Sequence, residues 1–278
     1  MVLHAGVCGR VGHRRTILHK GRGPLVLVTG TAALVLFVTR SSRGAAIMLD
    51  MGSTQFTRLS TRPDAEVLVP AYGGHDVAEA VRSAGARPVP ADIDPRSLCI
   101  APNAVLDVLT PRTVAIAALH LFGHPPDLLG LRQVTQRHAL EIVECGVTRE
   151  GPVSLDDRRR RQHAAYLNSR LTGVEVPAAR REEHNYDTYV VRVPGNGRPD
   201  RDAFKQALRT RGIRCWVPVR NPLHWTPGYR SLSRLPHAER AADECLALPV
   251  DGTMTRRDLQ RMASACNALG GLLLEPAC

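Results

Sequence analysis

The stretch from Glu66 to Glu144 repeats one pattern three times, and this repetition constrains the fold more than any other part of the chain. Each unit is a short apolar, β-branched run followed by an amphipathic helical segment. The pairs are EVLVPAY then HDVAEAVRSAGA, RPVPADI then NAVLDVL, and VAIAALHL then PDLLGLRQVTQRH, with LEIVEC closing the series. Strands that alternate with helices of this length imply βαβ crossovers and a parallel sheet. Such sheets hold ligands in the crevice beyond the carboxyl ends of their strands. Chemistry is therefore expected at Pro70 to His75, Asp92 to Pro95, His120 to His124, and Glu144 to Thr148.

Around this block the patterning changes. Residues 1–22 are rich in Gly, Arg and His without a period and predict a disordered lead. Leu25 to Val28 reads as a strand, and Gly30-Thr31-Ala32-Ala33 as a turn into a helix ending near Val38. Residues 41–62 lack clean periodicity and read as an irregular insertion, which leaves open whether 1–62 is a genuine coding segment. Gly, Pro and Ser cluster from Gly146 to Ser154 and mark a boundary. The resulting division is a lead at 1–22, a large α/β domain at 23–148 and a small α+β domain at 149–278. In the last of these, DDRRRRQHAAYLNSRL reads as a helix opened by acidic residues, a favourable placement at a helix N-terminus. TYVVRV and IRCWVPV read as strands flanking the helix RDAFKQALRTR, and HAERAADECLAL and TRRDLQRMASACNAL as two further helices.

Composition removes several function classes. Basic residues outnumber acidic ones by 37 to 26, but only Lys20 and Lys205 are lysines. The dense run Arg158 to Arg161 sits in a helical segment and reads as a solvated face. With aromatics at 4% there is little material for base stacking, so nucleic acid is not an expected partner. Seven scattered cysteines without a CxxC pair argue against a zinc finger or redox dithiol and for reduced thiols in the cytoplasm. Pro24 to Val38 is apolar enough to suggest an anchor but short for a bilayer span, so no membrane association is expected.

Bare residue patterns offer a few candidate sites. Thr29-Gly30-Thr31-Ala32-Ala33 after an apolar strand suits an anion cradle, with backbone N–H groups at a helix N-terminus, although such turns are also common without a ligand. Asp92 and Asp94 could bind a metal, but the following Pro95 favours a turn and cap. His120, His124, Glu144 and Cys145 could be imagined as ligands, yet nothing in the spacing fixes their geometry, and no metal is expected.

Taken together, several segments resemble the DegT/StrS-type sugar aminotransferases. They are VTGTAAL, EVLVPAY, AGARPVPADIDP, LTPRTVAIAALHLFGHPPDL and RHALEIVE, followed by TYVVRVP, LRTRGIRCWVPVRNPLH and LPHAERAADECLALPV. The resemblance implies a fold-type I aminotransferase architecture, a three-layer parallel-sheet large domain with a smaller α+β domain. It also implies pyridoxal phosphate as cofactor, a keto-sugar nucleotide as substrate, amino-sugar biosynthesis as setting, and a homodimer as assembly. In such enzymes a lysine forms a Schiff base with the cofactor, a carboxylate pairs with the pyridinium nitrogen, and an aromatic ring stacks on the cofactor. Carried onto this chain, the phosphate cradle falls at Gly30, Thr31 and Ala32, the stacking ring at Gly74, the carboxylate at Cys145 and a neighbouring glutamine at Thr148. Glu144 is a poor substitute for the carboxylate, because adjacent strand residues point to opposite faces. The segment bearing the lysine would follow Thr148, where the Arg-rich helix begins almost at once. The expectation is an internally truncated member, catalytically impaired. The alternatives are a scaffold or partner subunit of a full-length paralogue, or the product of a decayed reading frame.

Overall fold

A computed structural model describes residues 25–29, 32–41, 44–49, 56, 64–146, 154–177, 184–193, 200–229 and 234–273. Its centre is a parallel sheet made of β4 (Glu66–Pro70), β5 (Arg87–Ala91), β6 (Thr113–Leu119) and β7 (Glu141–Cys145) in the order β5-β4-β6-β7. The three repeats of the sequence are thus real crossovers. Helix α1 (His75–Ser83) joins β4 to β5, α2 (Pro102–Val108) joins β5 to β6, and α3 (Leu128–His138) joins β6 to β7.

Period-two alternation sends the side chains of each strand to two helical layers. Val67, Val69, Ala115, Ala117 and Val143 pack with Val77, Ala78 and Val81 of α1. Leu68, Ile116 and Ala118 pack on the other face with Val105 of α2 and with Leu131 and Val134 of α3. All five residues of β4 are buried, as expected of a central strand covered on both sides. At the amino end of β4 the buried Glu66 carboxylate accepts hydrogen bonds from Arg112 Nη2 at 2.8 Å and Nε at 3.0 Å, and from the Thr110 hydroxyl.

The C-terminal part is α+β. Helix α4 (Leu155–Asn168) opens with Ser154 and Asp157 capping each other reciprocally. It is followed by β8 (Tyr189–Arg192), α5 (Asp200–Thr210), α6 (Pro236–Glu244), β9 (Cys245–Leu248) and α7 (Arg256–Leu273). Strands β8 and β9 pair antiparallel. Two expectations need correcting here. The expected strand IRCWVPV contributes only a bridge from Trp216 to Ala247, and the true partner of β8 is Cys245–Leu248, inside the segment expected to be all helix. Those four residues are all buried between packed layers, and tertiary burial has overridden the helical pattern leading into them.

A third correction concerns the lead. Ala32–Ser41 is strand β2, antiparallel to β1 (Leu25–Thr29) on one side and β3 (Gly44–Leu49) on the other. The helix expected to follow Gly30 is therefore a strand, and part of the expected irregular insertion is regular. The apolar run Ala33 to Val38 is rich in β-branched and aromatic residues, which favours extension. Among the described residues no helix is long and apolar enough to cross a membrane.

The Arg run is also only partly the solvated face expected. Arg158 and Arg159 are exposed, but Arg160 is paired with Asp156, Asp157 and Asp187, and Arg161 donates to Asn185 Oδ1 at 2.6 Å. The α/β and C-terminal parts share an apolar seam in which Tyr72, Ile93 and Leu121 meet Leu235, Ala241 and Ala247. Gly123, at φ +85°, lets the Leu121–His124 turn press against Tyr186 and Asp187, because an added Cβ would lie 2.9 Å from both backbone nitrogens. Gly123→Ala is expected to cost about 2 kcal/mol, from positive φ and the clash together. Urea denaturation measures it, with a midpoint equal to the parent protein's counting against this tight docking.

Candidate functional site

The crevice beyond the carboxyl ends of the strands is built from the turn Ala71 to Gly74, the loop after β5, the turn Leu121 to His124, and Cys145 with Gly146. At the end of β4 the chain turns sharply through Gly73 (φ +75°) into Gly74, the N-cap of α1. A Cβ on Gly74 would sit 2.2 Å from the Pro70 carbonyl oxygen, so the backbone path here admits no side chain without moving. His75 follows at the first turn of α1 and reaches Thr226 Oγ1 at 3.2 Å, with burial lowering its pKa against the raising influence of Asp76.

Cys145 ends β7 and packs, partly buried, on the α1 side of the sheet with Leu119 and Val143. Its Sγ–H points at the Val143 carbonyl oxygen, 3.6 Å away. Burial, assisted by the nearby Glu144 charge, pushes this thiol up to about 12, so it stays protonated and neutral. Glu144 faces the opposite side, as strand alternation requires, where it lies 3.6 Å from His120 Nε2 and 3.9 Å from Arg132 of α3. Burial lowers the His120 pKa, and the Glu144 carboxylate opposes that shift.

The two aspartates after β5 have structural partners. Asp94 Oδ2 accepts from the backbone of Arg96 and Ser97 and closes a turn. Asp92 is buried and accepts from Ile93 N at 2.9 Å, His237 N at 3.0 Å and Ala238 N at 2.8 Å. It thereby caps α6 from the other part of the molecule. Sequence reading gave Asp92 a local turn-and-cap role and missed this long-range one. The available signal was α6 itself, which begins with Pro236 and whose own N-cap, Leu235, has no capping side chain.

His124 lies apart from His120, over a cavity of about 160 Å³ between the loops after β5 and β6 and the C-terminal part. There it meets His184 at 4.8 Å between ring centroids, and His184 stacks on Tyr186 at 4.0 Å. The Tyr186 N–H donates to His184 Nδ1, and burial, with the charges of His124 and Arg161, pushes His184 down to about 3. This aromatic ladder was not legible in the sequence, since it depends on the docking of two distant loops. Neither Gly74 nor Cys145 lines the cavity. No group of three or more His, Cys, Asp or Glu side chains that could hold a metal occurs among the described residues.

The remaining candidates divide between the described and undescribed residues. Gly30, Thr31 and Thr148 lie outside the described residues, as do Lys20 and the expected boundary at 148/149. Ala32 opens β2, so the described backbone after it provides no helix N-terminus for a phosphate. Lys205 lies on α5, largely covered, with its Nζ 2.9 Å from Asp202 Oδ1.

Comparison with known proteins places this geometry. A model of the DegT/DnrJ/EryC1/StrS aminotransferase family matches residues 35–146 and 153–267. A UDP-N-acetyl-3-dehydro-alpha-D-glucosamine 3-aminotransferase of Acidithiobacillus ferrooxidans is 33% identical over 126 residues, 45% of this chain and 33% of that protein. An L-glutamine:2-deoxy-scyllo-inosose aminotransferase of Micromonospora echinospora is 39% identical over 79 residues, 28% of this chain and 19% of that protein. The chain thus spans about a third or less of these relatives' lengths in the matched stretches. Among solved structures, S. venezuelae DesV in complex with a ketimine intermediate superposes with a TM-score of 0.67 at 22% identity, over 79% of this chain and 83% of that one. The aminotransferase TlmJ from Streptoalloteichus hindustanus gives 0.68 at 22% identity, over 80% and 84%. At these identities the superpositions establish the fold, which is that of the fold-type I aminotransferases.

Proposed function

Because the chain belongs to the DegT/DnrJ/EryC1/StrS aminotransferase family, we propose that it is a cytoplasmic relative of the keto-sugar nucleotide aminotransferases that no longer transfers an amino group. One observation carries this reading: between Lys20 and Lys205 the sequence contains no lysine at all. Family chemistry needs a primary amine held at the cofactor aldehyde, both to tether it and to move the proton. The only described lysine lies on α5 of the C-terminal part, in an ion pair, and follows no strand of the parallel sheet. The family match breaks between 146 and 153, where a lysine-bearing segment would be expected to stand.

What remains is a folded frame. The seam between the two parts, the Asp92 cap and the buried core of each part support a cooperative product over a decayed, unfolded one. A second reading is favoured by β7, which closes the sheet with a neighbour on one side only among the described residues. A strand edge of this kind can accept a further strand, which would suit a non-catalytic partner of a full-length paralogue.

The test of the first reading is a coupled assay for 2-oxoglutarate, with glutamate as donor and a panel of nucleotide-linked keto-sugars as acceptors. The expected result is no turnover above the rate without protein. Saturable turnover lost on Lys205→Ala would overturn it. Co-purification with a full-length family member, surviving gel filtration, supports the partner reading, and a chain that always elutes alone contradicts it.

A further inference from the structure

We infer that the crevice between the carboxyl ends of β4 and β7 has been repacked as apolar core and no longer admits pyridoxal phosphate. This rests on the family reading above and goes further, since loss of the lysine alone would still allow non-covalent retention of the cofactor.

Three features of the crevice carry the inference. Where the resemblance places a carboxylate for the pyridinium nitrogen, Cys145 presents a protonated thiol turned onto its own strand, with Sγ directed at the Val143 carbonyl. A neutral thiol gives no counter-charge, and the adjacent Glu144 carboxylate faces the opposite side of the sheet, 3.6 Å from His120 Nε2 and 3.9 Å from Arg132. Where the resemblance places a stacking ring, Gly74 has the Pro70 carbonyl oxygen only 2.2 Å from where a Cβ would stand, too close for any side chain without a backbone shift. Finally, Leu223 of the C-terminal part is wholly buried in the same cluster as Val143 and Cys145, and its N–H donates to Ala71 O at 2.7 Å. Aliphatic packing by Leu119, Val143 and Leu223 thus covers the α1 side of the sheet beside the partly buried Cys145, an environment that favours no charged heterocycle.

Full-length protein titrated with pyridoxal phosphate, followed by cofactor absorbance and by equilibrium dialysis, should show no saturable binding up to millimolar cofactor. The variants Cys145→Asp and Cys145→Ser extend the test. Placing a carboxylate in this partly buried apolar packing should lower Tm by roughly 5 °C without conferring binding, while the uncharged serine should lower it much less. Saturable binding by the parent protein overturns the inference. So does a Cys145→Asp variant that keeps the parent Tm and acquires the cofactor, since that describes an open site lacking only its charge. Binding without turnover would refute this repacking yet leave the proposed loss of amino transfer standing, whereas turnover would refute both.

Discussion

Asp92→Ala is expected to destabilise the fold by about 3 kcal/mol, a fall of roughly 6–12 °C in Tm for a chain of this size. The carboxylate accepts three backbone N–H groups, two of them from the first turn of α6. Truncation leaves these donors without their acceptor in a buried seam, and hydrogen bonds to a charged group are the stronger kind. It also removes the negative charge that complements the N-terminus of α6. Asp92→Asn keeps one acceptor oxygen and should lose about 1 kcal/mol. Because α6 belongs to the C-terminal part while Asp92 follows β5, the loss should fall on the joint between them. Hydrogen exchange would show this as faster exchange at His237 and Ala238 ahead of the central strands. Equal protection of these amides in the parent and Asp92→Ala proteins would show that the cap does not hold the two parts together.

Glu66→Ala should cost about 3 kcal/mol, through loss of the Thr110 and Arg112 hydrogen bonds and of packing at the amino end of β4. The figure sits at the low end for a broken buried pair because the Arg112 and Arg87 side chains are 56% and 70% exposed and can return to water. This site also gives a pH signature. Burial of Glu66 opposes its ionisation, but the Thr110 hydroxyl and the Arg112 guanidinium, with Arg87 beyond, outweigh it and hold the carboxyl below its ordinary value. A carboxyl lowered in the folded state contributes stability that is fully present above its unfolded pKa. That contribution is lost as pH falls through the folded value. The parent protein should therefore lose more stability than Glu66→Gln between about pH 5 and pH 3. Parallel curves for the two proteins would show that the ion pair adds nothing to the fold.

The parallel sheet was legible in the sequence because its signal is local and repeated. Strand runs such as EVLVP and helices such as HDVAEAVRS carry periods of two and 3.6 within a few residues of each other. Strand β9 was hidden because CLAL directly continues the helix PHAERAADE with no breaker between them. Only its pairing with Tyr189–Arg192 decides its state. The helix expected after Gly30 misled for a related reason, since Ala33 to Val38 suits a helix by Ala and Leu content and a strand by Val and Phe content.

The candidate site was legible at the level of place and not of partners. The carboxyl ends of the strands, with Gly74 and Cys145 among their residues, followed from topology, whereas the cofactor roles assigned to those two positions came only through resemblance. Sequence alternation did anticipate that Glu144 and Cys145 would face opposite ways, as Arg132 and Leu119 on the two sides confirm. The capping of α6 by Asp92 and the contact of His124 with His184 join residues dozens of positions apart and have no local signature.

The central claim is that no amine in this chain serves as a cofactor tether. Its most direct test is borohydride reduction of the purified protein after incubation with equimolar pyridoxal phosphate, followed by mass spectrometric peptide mapping. The expected map contains unmodified Lys20 and Lys205 peptides and no pyridoxyl-lysine. A stoichiometric adduct on either lysine would contradict the claim.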